Sequence, residues 1–146
     1  MIPFENFIVG LLFLVGLSIF DFYTFKKRKA MMPSVITTLF MIVAFIIGYS
    51  NVQINILLAL SFGVLLAIFM TDMELWAGYA DFKIFVACSM LFMSMRTILW
   101  FALLVIVLAI LAKGIINETN IAKKLKLKYI PFIPIIAVAF IGASMI

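Results

Sequence analysis

Trp76-Ala77-Gly78-Tyr79-Ala80-Asp81-Phe82-Lys83 places a carboxylate directly after a small-residue turn and directly before an apolar run. An acid kept beside hydrocarbon is costly, and such a residue marks a functional position unless a cation neutralises it. Asp21 is a second acid of this kind, in Leu17-Ser18-Ile19-Phe20-Asp21-Phe22-Tyr23. Whether the two meet depends on how the apolar runs on either side of them are threaded.

Outward from this stretch the chain is almost continuously apolar. Of its 146 residues 68% are hydrophobic and 12% charged, and the mean hydropathy is +1.35. Soluble domains carry about half apolar and about a quarter charged residues, so the composition excludes an ordinary water-soluble globule. The reading is an all-α polytopic membrane protein, a single membrane-embedded domain over residues 1–146. Met1-Ile2-Pro3-Phe4-Glu5 lacks the positive start of a cleavable signal, and the first run is expected to stay as a helix.

The apolar runs cover about Phe7–Tyr23, Pro33–Tyr49, Ile54–Met70, Phe82–Met95, Ile98–Ala112, and Pro131 to the C-terminus. Several fall short of the roughly 20 residues of a full span, and their Tyr, Trp and Lys flanks extend them. In lipid every backbone polar group needs a partner within the segment, which makes each run a helix and predicts six transmembrane helices. If the loops after the first, third and fifth runs share one side, that side holds Lys26, Lys27, Arg28, Lys29, Lys83, Lys113, Lys123, Lys124, Lys126 and Lys128. Only Arg96 falls opposite. Cations concentrate on the cytoplasmic side, so both termini are expected to be extracytoplasmic. The net charge of +5 is then a topology signal, and no nucleic-acid partner is implied.

This threading sets Asp21 at the cytoplasmic end of the first helix and Asp81 at the cytoplasmic end of the fourth. Two carboxylates held close at low dielectric do not both ionise readily; they share a proton and titrate as a unit. One takes a proton from water while its protonated partner polarises a peptide carbonyl, which is aspartic-protease chemistry. The chain has no histidine, and its one cysteine, Cys88, excludes an intramolecular disulfide and a cysteine-based metal site. No metal or cofactor is expected. The competing readings are a cation or proton pathway through the two acids, as in a small transport subunit, and a non-catalytic membrane assembly factor.

Gly78-Tyr79-Ala80-Asp81-Phe82-Lys83 resembles the GxGDxK motif of the type IV prepilin peptidases and archaeal preflagellin peptidases, polytopic aspartyl proteases with a six-helix core. Asp21, followed by a basic stretch and Met32-Pro33-Ser34, is similar to that family's first catalytic aspartate and its downstream basic-Ile-Pro-Asn element. Tyr129-Ile130-Pro131-Phe132-Ile133-Pro134 resembles the start of the family's last core helix. The three motifs fall in order along nearly the whole chain. The sequence departs from the pattern at Ala80, where the motif has glycine, and in a longer gap from Asp21 to Pro33. The resemblance implies Asp21 and Asp81 as catalytic residues, with Gly78, Ala80 and Lys83 supporting them. It also implies a minimal, peptidase-only form, because nothing here matches the zinc-binding paired cysteines of larger relatives. The implied substrate is a pilin-like precursor with a basic leader before an apolar helix, cut at the cytoplasmic face of a prokaryotic membrane.

Asp72 and Glu74 precede the motif, either as a solvated loop or helix cap or as contacts for a basic leader peptide. Lys83 either snorkels to lipid phosphate or favours the ionised form of the acid pair. The ten methionines read as adaptable packing.

Overall fold

The computed structural model describes residues 2–27, 34–48, 79–92, 94–118 and 133–146, with side chains at 2–20, 35–47, 81, 83–92, 94–115 and 133–146. These residues form five α-helices and no strand: α1 (Phe4–Lys27), α2 (Ser34–Gly48), α3 (Tyr79–Leu91), α4 (Met95–Glu118) and α5 (Ile133–Ser144). The helix starts follow from local chemistry. Pro3 stands just before α1, where its missing N–H costs nothing, and its carbonyl accepts the Phe7 amide at 3.0 Å. Glu5 in the first turn of α1 complements the positive end of the helix dipole. The Ser94 carbonyl accepts the Ile98 amide at 3.1 Å, so Ser94 opens α4 from the N-cap position. Pro134 sits in the first turn of α5, a place that tolerates it.

Helix directions are fixed by a few contacts. Asn6, in the first turn of α1, donates from Nδ2 to the carbonyl of Leu91, the last residue of α3, at 3.1 Å. The two helices are therefore antiparallel. At the same end Phe140 of α5 meets Phe7 of α1 (ring centroids 6.1 Å), Phe92 just beyond α3 (5.2 Å) and Phe101 of α4 (6.5 Å, edge-on). Thus α1 and α4 start at this end, whereas α3 and α5 finish there. Lys83 of α3 reaches Thr38 of α2 near the start of both helices. The two pack extensively on each other and run in the same direction. The end of α2 and the start of α3 consequently lie at opposite ends of the bundle.

The core is built from aromatic rings and small residues. Phe85 stacks on Phe101 at 5.0 Å and Phe13 on Phe40 at 4.6 Å, tying α3 to α4 and α1 to α2. Ala44, Ala87, Ala102, Ala109, Ala139 and Ala143 are buried and let backbones approach. The opposite faces are apolar too. Phe4, Leu12 and Ile19 on α1 and Leu103, Leu111 and Ile115 on α4 are exposed on the bundle.

Three expected boundaries move. The first run was bounded at Tyr23 by the cations beyond it, but α1 continues to Lys27, so Asp21 lies within the helix and does not close it. The fourth run, Phe82–Met95, becomes α3 from Tyr79 to Leu91, and Arg96 is the second residue of α4. The fifth, Ile98–Ala112, extends in both directions and passes through Gly114. Charged and polar residues end contact with hydrocarbon, while backbone hydrogen bonding continues past them until a cap or turn intervenes. The run Ile54–Met70 lies outside the described residues. By length and composition α4 is able to cross a bilayer over Met95–Ile115, and Phe4–Phe20, Val35–Ile47 and Ile133–Ser144 are apolar but shorter.

Candidate functional site

Asp81 occupies the first turn of α3 and is 5% exposed. A carboxylate there is favoured by the unpaired amides and the positive dipole end of its own helix. Lys83 follows two positions later. Successive residues turn through about 100° around a helix, so the ammonium and the carboxylate leave α3 on different sides. Lys83 Nζ donates to Thr38 Oγ1 at 3.2 Å on the solvent-accessible side, binding α3 to α2. Ala80 lies in helical backbone at the second position of α3, where an L-residue fits without strain. The departure from glycine therefore carries no conformational penalty.

Two sets of contacts give the height of Asp81 against α1. Leu91 is bracketed by Asn6, through the Nδ2 bond, and by Gly10, whose added Cβ would come 3.0 Å from Leu91 Cδ1. From Leu91 back to Asp81 is about 15 Å of helix, and the same rise along α1 from Phe7 or Ile8 ends near Ser18. The route through α2 agrees. Phe13 stacks on Phe40, two residues beyond Thr38, which is bonded to Lys83. Counting back the same rise puts Asp81 level with Leu17. Position 21 of α1 is one turn further toward the start of α3, an offset of about 5 Å. In sequence it continues the spacing of Asn6, Gly10, Leu14 and Leu17, which are all buried. The Cα–Cβ bonds of antiparallel neighbours tilt in opposite senses along the shared axis, and that tilt shortens an offset of this sign.

The Asp21 side chain lies outside the described residues, as do Gly78, Asp72 and Glu74. Their parts in the site are sequence expectations only. Among the described residues no group of three or more His, Cys, Asp or Glu side chains converges to hold a metal. Sequence reasoning passed over Thr38, the partner of Lys83, and Ser18, whose hydroxyl oxygen is buried without a hydrogen-bond partner. Ser18 had a signal to be found by: it precedes Asp21 by three residues and shares its side of the helix.

Comparison with protein-family models, with curated proteins and with solved structures finds no match for this chain.

Proposed function

We propose that this chain is a membrane aspartyl endopeptidase that removes basic leaders from pilin-like or archaellin-like precursors at the cytoplasmic face of a prokaryotic membrane. Asp21 and Asp81 form its catalytic pair. The observation that carries the reading is the register of α1 against α3. These helices are antiparallel, and positions 21 and 81 fall within about one helical turn of the same height. Asp81 is buried there. The resemblance of residues 78–83 to the GxGDxK motif supports the same assignment.

Six spans with extracytoplasmic termini suit the helix directions. In the proposed topology one further crossing separates α2 from α3, which suits their common direction. Lys83 and Lys113 lie toward the Asp81 end of the bundle and Arg96 toward the far end, as the positive-inside rule asks. Exposed apolar side chains recur along α1 and α4, and lipid is the proposed cover for them.

In the proposed reaction the ionised carboxylate accepts a proton from water as the water oxygen bonds to the scissile carbonyl carbon. The protonated partner donates to the carbonyl oxygen. The resulting diol collapses with cleavage of the C–N bond: one diol hydroxyl gives its proton to the carboxylate as the carboxyl proton leaves with the amine. The pair ends with one proton, as it began.

The test is processing of a co-expressed precursor carrying a Lys/Arg leader before an apolar helix. Asp21→Asn and Asp81→Asn should each reduce cleavage by about 100-fold or more. A variant that cleaves at the wild-type rate removes its residue from the pair. Cation or proton flux in proteoliposomes without peptidase activity favours the transport reading instead.

A further inference from the structure

Glu5 and Arg96 are both exposed, and among the described residues neither side chain has a hydrogen bond or ion pair. Each is the second residue of its helix, Glu5 in α1 and Arg96 in α4. A cation at the positive end of a helix dipole is unfavourable unless an anion neutralises it. The two helices start at the same end of the bundle and flank α5, which packs extensively on both. One ring sets their heights: Phe140 of α5 lies against Gly10 of α1 and edge-on to Phe101 of α4. Gly10 and Phe101 are 91 positions apart in the chain, and so are Glu5 and Arg96. The outward faces repeat at that separation. From Glu5 an exposed stripe continues down α1 through Ile8, Leu12, Gly16 and Ile19. From Arg96 its counterpart continues down α4 through Leu99, Leu103, Val107 and Ile110, every one exposed. Spacings of three and four keep each stripe on one side of its helix.

We propose that these stripes are the docking surface for a second copy of this chain. The two molecules are related by a two-fold axis along the bundle, with α1 of each parallel to α4 of the other. Such an axis leaves heights unchanged, so Glu5 comes level with the partner's Arg96 and Leu12 with the partner's Leu103. The contact is made twice and closes the assembly at two copies. Gly16, which meets nothing within 4 Å in its own chain, falls level with the partner's Val107. A glycine there lets apolar helices approach closely, as association within a bilayer requires. The charge pairs fix which helices meet, and in which register, more than they add affinity. Val15, Trp100 and Leu111 fall outside the matched set and keep lipid as their cover. The inference goes beyond the peptidase reading and does not depend on it.

The experiment counts copies of the fluorescently tagged full chain in dilute phosphatidylcholine vesicles by single-molecule photobleaching. Wild type should bleach in two steps. Glu5→Arg and Arg96→Glu should each shift the population to one step, because like charges then face each other at both contacts. The variant carrying both changes should recover two steps. Melting temperatures should stay level throughout, since both side chains are exposed and unpaired in the single chain. A second measurement does not rely on charge. In a Cys88→Ala background, Leu12→Cys combined with Leu103→Cys should form a linked dimer on mild oxidation, and Leu12→Cys alone should not. One-step bleaching of wild type gives both stripes to lipid and overturns the inference. Dimers that ignore the charge reversals, that fail to return in the double variant, or that link through Leu12→Cys alone overturn it too. Asp81→Asn should leave the copy number at two, which separates this result from the fate of the peptidase reading.

Discussion

Gly10 shows how little room separates α1 from α5. A Cβ added there would lie 2.5 Å from Cζ and 2.8 Å from Cε1 of Phe140. That ring is held by Phe7, Phe92 and Phe101 and has no open side to turn toward. Gly10→Ala is therefore expected to cost about 1–3 kcal/mol through overpacking, read as a lower melting temperature in detergent. Gly16 and Gly114 meet nothing within 4 Å, and Gly16→Ala should leave stability level or slightly raised by the better helix former. Asn6 is the polar counterpart. Replacing it with Ala strips the Leu91 carbonyl of a buried donor, with an expected loss of about 1–3 kcal/mol in the same measurement. The sequence singled out Asp81 because an acid beside an apolar run stands out by type alone, and the residue is buried. It did not reveal Asn6 or Ser18, because an amide or hydroxyl in an apolar helix is ordinary until its partner, or want of one, is seen.

Among the elements, α2 and α3 form the most extensively packed pair, and Lys83–Thr38 is their polar contact near the Asp81 end. The bond is solvent-exposed, and its contribution is accordingly small. A double-mutant cycle on Thr38→Val and Lys83→Met should return a coupling of about 1 kcal/mol or less. A larger value would mean that the pair sits deeper in the packing than its exposure indicates. At this scale the sequence was informative about which stretches are helical and poor on where they stop. Every described helix overlaps an apolar run. The limits at Tyr23 and Ala112 moved outward past cations, and the limit at Met95 moved inward to Leu91. Lys26, Arg96 and Lys113 interrupt the apolar composition, whereas the helices end at caps and turns, such as the Ser94 carbonyl and the short connection before it. The expected depth match of the two acids depends on helix direction more than on helix ends, and the Asp21 side chain lies outside the described residues.

Taken as a whole, the bundle has a distinct pair of ends, and the proposed topology assigns each to a side of the membrane. Met145, 84% exposed beyond α5, belongs to the far end. In a Cys88→Ala background, Met145→Cys should react with a membrane-impermeant maleimide in intact cells. Labelling only after permeabilisation would invert the orientation and move Asp81 to the outer face. At the far end Phe140 joins four segments of the chain, and Phe140→Ala should cost about 3–5 kcal/mol, enough to loosen the assembly in detergent. Those same rings decide what can travel along the molecule. A proton or cation arriving at Asp81 and heading inward between the described helices meets the stacked faces of Phe85 and Phe101, then the Phe92–Phe140 pair. The Ser89 hydroxyl on that route is already tied back to Phe85. Between the described helices, packed rings close the interior beyond Asp81.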